Sequence, residues 1–268
     1  MTSTTHPAAL ITGASSGIGK GFAQRYAAAG HDVVLVARRE ERLRELAAEL
    51  TARHGITATV MAADLTSPSV AGDLADRIAD AGISVGILVN CAGFGTAGPF
   101  AEEDADRVAA EIAVDVTAPT LLTRVFMPSL LAAGSAGALV MVSSTASHQP
   151  VAGIAVYAAC KGYITSLTSA IWQEARGSGL RVLAVCPGPT DTEFFDASGS
   201  EQFKVGKVGS VDEVLDATFA ALARDGGPVT TVGLANRIQS FGAKIAPRRM
   251  TLAVGASQTR KAARGAGK

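Results

Sequence analysis

Residues 8–19 read Ala8-Ala9-Leu10-Ile11-Thr12-Gly13-Ala14-Ser15-Ser16-Gly17-Ile18-Gly19. An apolar run of four enters a glycine-rich turn. It leaves as a helical pattern over Gly17–Ala29 that Gly30 stops. Glycines let the turn tighten and let the backbone approach an anion at the helix N-terminus. The spacing is Gly-x-x-x-Gly-x-Gly, not the common Gly-x-Gly-x-x-Gly fingerprint. Gly13, Ser15, Ser16, Gly17, Ile18 and Gly19 are therefore candidates to cradle a pyrophosphate. The alternative is an ordinary βα turn that binds nothing.

The same alternation continues along the chain. Strands are predicted at Val33–Val36, Thr57–Ala62, Val85–Val89, Ala138–Val142 and Arg181–Val185, with a seventh at Val229–Val232. Helices are predicted at Glu40–Arg53, at Ser67–Ala81 with Pro68 in its first turn, and as one long element over Glu103–Leu131. Two more are predicted at Val156–Arg176 and Val211–Ala223. Strands alternating with helices imply an α/β fold, a parallel sheet covered on both faces, with ligands at the carboxyl ends of the strands.

The 268 residues, 48% of them hydrophobic, suffice for one substantial core. Lys+Arg and Asp+Glu are equal at 24 each, which speaks against polyanion binding by the whole molecule. Cys91, Cys160 and Cys186 are odd in number and lack metal-ligand spacing, so they read as free thiols in a reducing, cytoplasmic compartment, with no metal expected. No signal peptide is expected, and no apolar run approaches the ~18–20 residues of a membrane span. The charge is nevertheless lopsided. No Asp or Glu follows Asp225, while Arg237, Lys244, Arg248, Arg249, Arg260, Lys261, Arg264 and Lys268 do. This divides the chain into a main domain, 1–232, and a basic C-terminal extension, 233–268.

The second strand ends in Ala37-Arg38-Arg39. A site for NAD usually places a carboxylate there to bind ribose hydroxyls. Two guanidiniums, suited to gripping a phosphate in bidentate fashion, follow instead. We read the cofactor as NADP(H), with Arg38 the main contact to the 2′-phosphate, Arg39 a weaker candidate and Ser15 assisting. The competing assignment pairs Arg38 or Arg39 with Glu40, Glu41 or other helix acids.

The chemistry is expected at Ser144 and in Tyr157-Ala158-Ala159-Cys160-Lys161. A Tyr and a Lys four residues apart share one helix face. A free phenol titrates near pH ~10, and an ammonium beside it is expected to lower that value. A hydroxyl such as Ser144 then holds a carbonyl or alcohol oxygen next to the phenol, which equips the site to move a proton on or off oxygen.

In this order and spacing the chain resembles the short-chain dehydrogenase/reductase family, of the NADP-preferring type. The resemblance covers about residues 7–232. It rests on the glycine motif, Asp64-Leu65, Asn90-Cys91-Ala92-Gly93, Ser144, Tyr157/Lys161 and Pro187-Gly188. It implies a Rossmann-type doubly wound parallel sheet of seven strands and hydride transfer to or from NAD(P). It also implies a homo-oligomer, dimer or tetramer. Carried over, Tyr157 is the catalytic acid/base. Ser144, rather than adjacent Ser143, orients the substrate oxygen, and Lys161 lowers the tyrosine and binds the nicotinamide ribose. Asp64 and Leu65 flank the adenine, and Asn90, Ala92 and Gly93 line the cofactor. Pro187, Gly188 and Thr192, with Thr190 nearby, face the nicotinamide. Two positions depart from the pattern. Cys91 stands where a second Asn is usual. Asp115, in Val114-Asp115-Val116-Thr117-Ala118, stands where the family's fourth catalytic residue is an Asn, and Pro119 reinforces a kink beyond it.

On the substrate side, Phe94, Phe100, Val151, Ile154, Phe194 and Phe195 predict an apolar pocket for a ketone, aldehyde or secondary alcohol with a hydrophobic body. His148 reads as a surface loop residue, the alternative being a contact with substrate. In the extension, Leu234, Ile238, Phe241 and Ile245 fall on one helix face among basic residues. That pattern fits a helix over the substrate cleft or at a subunit contact, followed by a solvated tail. It also fits a peripheral contact with an anionic membrane. Nucleic acid is not an expected partner, because Phe241 is the sole aromatic there. The alternative to an enzyme is a non-catalytic NADP-binding regulator on the same fold.

Overall fold

The computed structural model describes residues 6–198, 200, 203, 205–224 and 226–265. Seven parallel strands form one sheet in the order β3-β2-β1-β4-β5-β6-β7. They are β1 (Ala8–Thr12), β2 (Val33–Ala37), β3 (Ala58–Ala62), β4 (Val85–Asn90), β5 (Ala138–Val142), β6 (Arg181–Cys186) and β7 (Val229–Thr231). The helices are α1 (Gly17–Ala28), α2 (Glu40–His54), α3 (Val70–Asp80), α4 (Ala105–Ile112), α5 (Ala118–Ala133), α6 (Ala155–Glu174), α7 (Phe194–Ser198), α8 (Val211–Arg224), α9 (Leu234–Ile245) and α10 (Arg248–Gly265).

Runs such as Val33-Val34-Leu35-Val36 are buried on both faces, as a sheet between two helical layers requires. Phe22, Leu43, Leu50 and Leu215 cover one face from α1, α2 and α8. Leu74, Leu122, Leu130 and Ile164 cover the other from α3, α5 and α6. Strand order reverses between β1 and β4, so loops diverge there and open a crevice at the carboxyl ends.

Three expectations need correction. Pro68 lies just outside α3, which begins at Val70. The long helix expected over 103–131 is α4, a π turn at Ala113–Thr117, and α5. In that turn Ala118 N–H donates to Ala113 O, five residues back. Pro119 has no N–H for the α-helical bond to Asp115 O, which favours the wider turn there. The helical stretch Ala105–Ala136 is also long and apolar enough to cross a membrane, contrary to the reading of the runs. Its Leu122, Phe126 and Leu130 are instead committed to the core.

The basic extension is helical through α10, whose first turns are largely exposed at Arg248, Arg249, Met250, Leu252 and Val254. In α10, Thr251 and Thr259 are buried, and Thr259 Oγ1 donates to Ala152 O at 2.9 Å. Lys268, counted among the basic residues, lies outside the described residues.

Candidate active site

At the end of β1, buried Thr12 ties two loops together. Its Oγ1 accepts the N–H groups of Cys91 at 3.0 Å and Ala92 at 3.1 Å. The Cys91 backbone therefore makes this contact whatever its side chain. Gly13 has φ +70°, and a Cβ at Gly19 would fall 2.3 Å from Gly13 O. No side chain fits there, and the tight turn brings the N-terminus of α1 to the sheet edge. The first turn of α1 has no acid, and its N-cap Ser16 makes no side-chain capping bond. Free amide donors with a positive dipole end suit a pyrophosphate.

Arg39 is already engaged. Its Nη2 donates to Ser15 Oγ at 3.0 Å and Ser16 Oγ at 2.9 Å, and its Nη1 to Glu193 Oε2 at 2.6 Å. Arg42 grips the other Glu193 oxygen, also at 2.6 Å. The acid that pairs with Arg39 is thus remote in sequence rather than on α2, where Glu40 pairs with Arg44. Arg38 is exposed at the pocket and makes no hydrogen bond or ion pair within the described residues. Asp64 beside it is held below the usual carboxylate range by the Thr66 N–H, and Arg38 adds to that effect.

Across the crevice, α6 carries Tyr157 and Lys161, and Ser144 follows β5. Ser143 Oγ donates to Lys161 O at 2.9 Å and meets Thr165 Oγ1 at 2.8 Å, so it is spent on structure. Ser144 lines the same cavity as Tyr157, with its Oγ accepting the Ala146 N–H at 3.1 Å, and it favours the ionised form of the phenol. Lys161 Nζ lies 5.5 Å from the Tyr157 ring centroid and donates to Val142 O at 3.3 Å. It lies 3.1 Å from Asp115 Oδ2, with both side chains buried. Asp115 Oδ1 accepts the Phe94 N–H at 3.2 Å.

These contacts set the protonation states. Burial works against the Lys161 ammonium, but Asp115 overrides it and lysine is held above its ordinary value. Burial raises the Asp115 carboxyl, against the pull of Lys161. The expected lowering of Tyr157 is not obtained. Lys161 and Ser144 do pull the phenol down. Burial outweighs them, Asp115 and Glu111 add to it, and Tyr157 sits above its usual value.

One cavity of about 520 Å³ joins the two halves. Gly13, Ser15, Ser16, Gly17, Ile18, Gly19, Arg38, Arg39, Asp64, Leu65, Ala92 and Gly93 line it. So do Ser144, Tyr157, Lys161, Pro187, Gly188, Thr190 and Thr192. Asn90 does not: it is buried below, with Nδ2 donating to Thr123 Oγ1 at 3.0 Å. Asp115 stands behind the wall, 1% exposed. Phe194 and Phe203 pack on Tyr157 with ring centroids 5.6 and 5.1 Å away, and Val151, Ile154 and Phe195 extend this apolar end. Phe100 is 68% exposed and takes no part, because it begins a surface 3₁₀ turn. His148 is half-buried rather than a surface residue: it lines the cavity with Nε2 3.1 Å from Thr231 Oγ1.

The sequence reading missed Glu193 as a partner of Arg39 and Glu111 as a buried acid. It also missed Asn236, whose Nδ2 comes within 2.6 Å of where a Gly188 Cβ would lie. A glutamate in a polar helical stretch carries no local mark of burial. The Gly233-Leu234-Ala235-Asn236 stretch, in which Gly233 caps the start of α9, was the available signal for Asn236.

The short chain dehydrogenase family pattern matches residues 7–202. Sulfoacetaldehyde reductase 2 of Chromohalobacter salexigens is 35% identical over 69% of this chain and 73% of its own. A short-chain dehydrogenase from Sphingobium yanoikuyae, solved in complex with NADPH, superimposes with a TM-score of 0.78. It is 34% identical over 88% of this chain and 91% of its own. A bulky-bulky ketone specific alcohol dehydrogenase from Comamonas testosteroni gives 0.75, with 31% identity over 89% and 91%.

Proposed function

Because the chain belongs to the short chain dehydrogenase family, we propose that it is an NADP(H)-dependent oxidoreductase interconverting a carbonyl and an alcohol on a hydrophobic small molecule. The convergence of Ser144, Tyr157 and Lys161 on the cavity carries this reading. It also argues against a non-catalytic regulator, which needs no such cluster. When bound, NADPH supplies the hydride. The glycine turn and the amides of α1 hold the pyrophosphate, and Arg38 grips the 2′-phosphate. Ser144 holds the substrate oxygen, Tyr157 delivers its proton to it, and Lys161 restores the phenol. The phenylalanines around Tyr157 support an apolar body over a small sulfonated aldehyde, the class in the Chromohalobacter relative's name.

Cofactor titration followed by fluorescence tests this first. Wild type is expected to prefer NADPH to NADH. Arg38→Ala is expected to erase that preference by roughly tenfold or more, the worth of a charge-assisted phosphate contact. Equal or tighter NADH binding by wild type overturns the assignment.

A specific observation favours a peripheral contact with an anionic membrane as well. Leu234, Ile238, Phe241 and Ile245 form an outward stripe on α9, each 65–71% exposed, beside Arg237, Lys244, Arg248 and Arg249. The inward side of α9, with Asn236, Gln239, Ser240 and Ala243, roofs the cavity. The full chain is expected to sediment with phosphatidylserine vesicles at low salt, and high salt or Phe241→Glu is expected to release it. No sedimentation at low salt removes this reading.

A further inference from the structure

Glu111, on α4, stands four residues before Asp115 and is wholly buried. Its Oε2 accepts the Thr96 N–H at 2.9 Å and lies 2.6 Å from Thr96 Oγ1. The same Oγ1 lies 2.8 Å from Glu103 Oε2. A threonine hydroxyl has one proton and can satisfy one carboxylate. The second short oxygen–oxygen contact needs another proton, and only a carboxyl can bring it. Two ionised glutamates would otherwise face each other across one hydroxyl.

Asp115 stands one helical turn beyond Glu111 and pairs with Lys161 at 3.1 Å. Among the described residues Glu111 Oε1, Glu103 Oε1 and Asp115 Oδ2 are buried and accept no well-aligned hydrogen bond, although Asp115 Oδ2 has the Lys161 ammonium beside it. Burial, reinforced by Asp115 and Glu103, pushes Glu111 up to about 7. The charged and titratable groups around it are Glu103 on the preceding loop, Asp115 on the next turn, and Tyr157 and Cys160 on α6, with Lys161 paired to Asp115. Arg107, one turn earlier on α4, lies over the Phe94 ring.

We propose that Glu111 and Glu103 share one proton through Thr96, and that this pair is the proton reserve for Tyr157, delivered by way of Asp115 and Lys161. During reduction Tyr157 gives its proton to the substrate oxygen, and the Lys161 ammonium returns one to the phenolate. The acid pair recharges Lys161 through Asp115 and passes from monoanion to dianion. Half-buried Glu103 then takes one proton from solvent, which closes the balance. Oxidation runs each transfer in reverse. Neither glutamate touches the reacting atoms; both are positioning residues acting through Asp115 and Lys161. The delivery rests on the oxidoreductase reading, and the shared proton does not.

Two measurements on the full chain separate these claims. Without cofactor, infrared spectroscopy at neutral pH is expected to show a protonated-carboxyl band. Glu111→Gln and Glu103→Gln should each remove it, while Glu102→Gln at the exposed neighbour leaves it. A missing band, or one that survives both changes, overturns the shared proton. With NADPH and an apolar ketone, Glu111→Gln is expected to flatten the limb of the kcat–pH profile near neutrality. It should also lower kcat on the order of tenfold with KM unchanged, less than the ~10²-fold or more of a direct proton donor. A wild-type profile in a variant that has lost the band overturns the delivery. A wild type that shows the band but turns over no carbonyl overturns the oxidoreductase reading, and the delivery with it.

Discussion

Tyr157→Phe is expected to lower kcat by on the order of 10²–10⁴-fold while leaving NADPH affinity nearly unchanged. The substitution removes one oxygen. The ring stays, and with it the edge packing against Phe194 and Phe203 at 5.6 and 5.1 Å, so the variant should fold. What it loses is the proton that the proposed mechanism gives to the substrate oxygen, and Ser144 cannot replace it at neutral pH. The raised phenol adds a direction to this prediction. Burial, helped by Asp115 and Glu111, keeps Tyr157 protonated at neutral pH. Reduction, which consumes that proton, should proceed at neutral pH. Alcohol oxidation needs the phenolate and should climb as pH rises toward the phenol's value. Steady-state rates in both directions across pH check this. Undiminished turnover in Tyr157→Phe would remove the residue from the mechanism, and a collapse of NADPH binding would mean that it serves the cofactor instead.

The sheet was legible because its central strands are buried on both faces. Val33–Val36 or Ala138–Val142 needs no partner information to be recognised, and alternation with helices dictates parallel strands. Tyr157 and Lys161 were legible because helical spacing alone brings them to one face. What escaped depends on long-range packing. Arg39 and Glu193 are 154 residues apart, and no local pattern couples them. Glu111 reads as a solvated helix acid until Thr96 is folded over it. Asn90 occupies a familiar motif, yet its side chain turns under the sheet edge to Thr123. The π turn has a local cause in Pro119, but a missing N–H predicts only a disturbance, and packing selects its form. The phenol's shift was misjudged because Lys161 was weighed without the burial that outweighs it and without the Asp115 carboxylate that adds to that burial.

That carboxylate is also where the largest stability effect is expected. Asp115→Ala should cost about 3–5 kcal/mol at neutral pH, the usual consequence of stranding one member of a buried ion pair. Lys161 would keep the Val142 carbonyl at 3.3 Å and lose its only ion pair among the described residues. Asp115→Asn keeps an acceptor for the Phe94 N–H but not the charge, and should fall between wild type and alanine. The pH dependence separates charge from volume. In wild type, Lys161 is held above its ordinary value. Its contribution is therefore whole below the unfolded-state value and is lost only as pH rises through the folded one. Without Asp115, burial dominates and Lys161 should drop below the unfolded-state value. The unfolded chain then binds more protons in the intervening window, so the alanine variant should gain stability as pH rises from 7 toward ~10. Urea unfolding at several pH values, on both proteins, reads the difference directly. A gap that narrows with rising pH identifies the stranded ammonium as its source. A gap that stays constant would mean that Asp115 acts through its volume and its bond to Phe94, and that Lys161 does not depend on its charge.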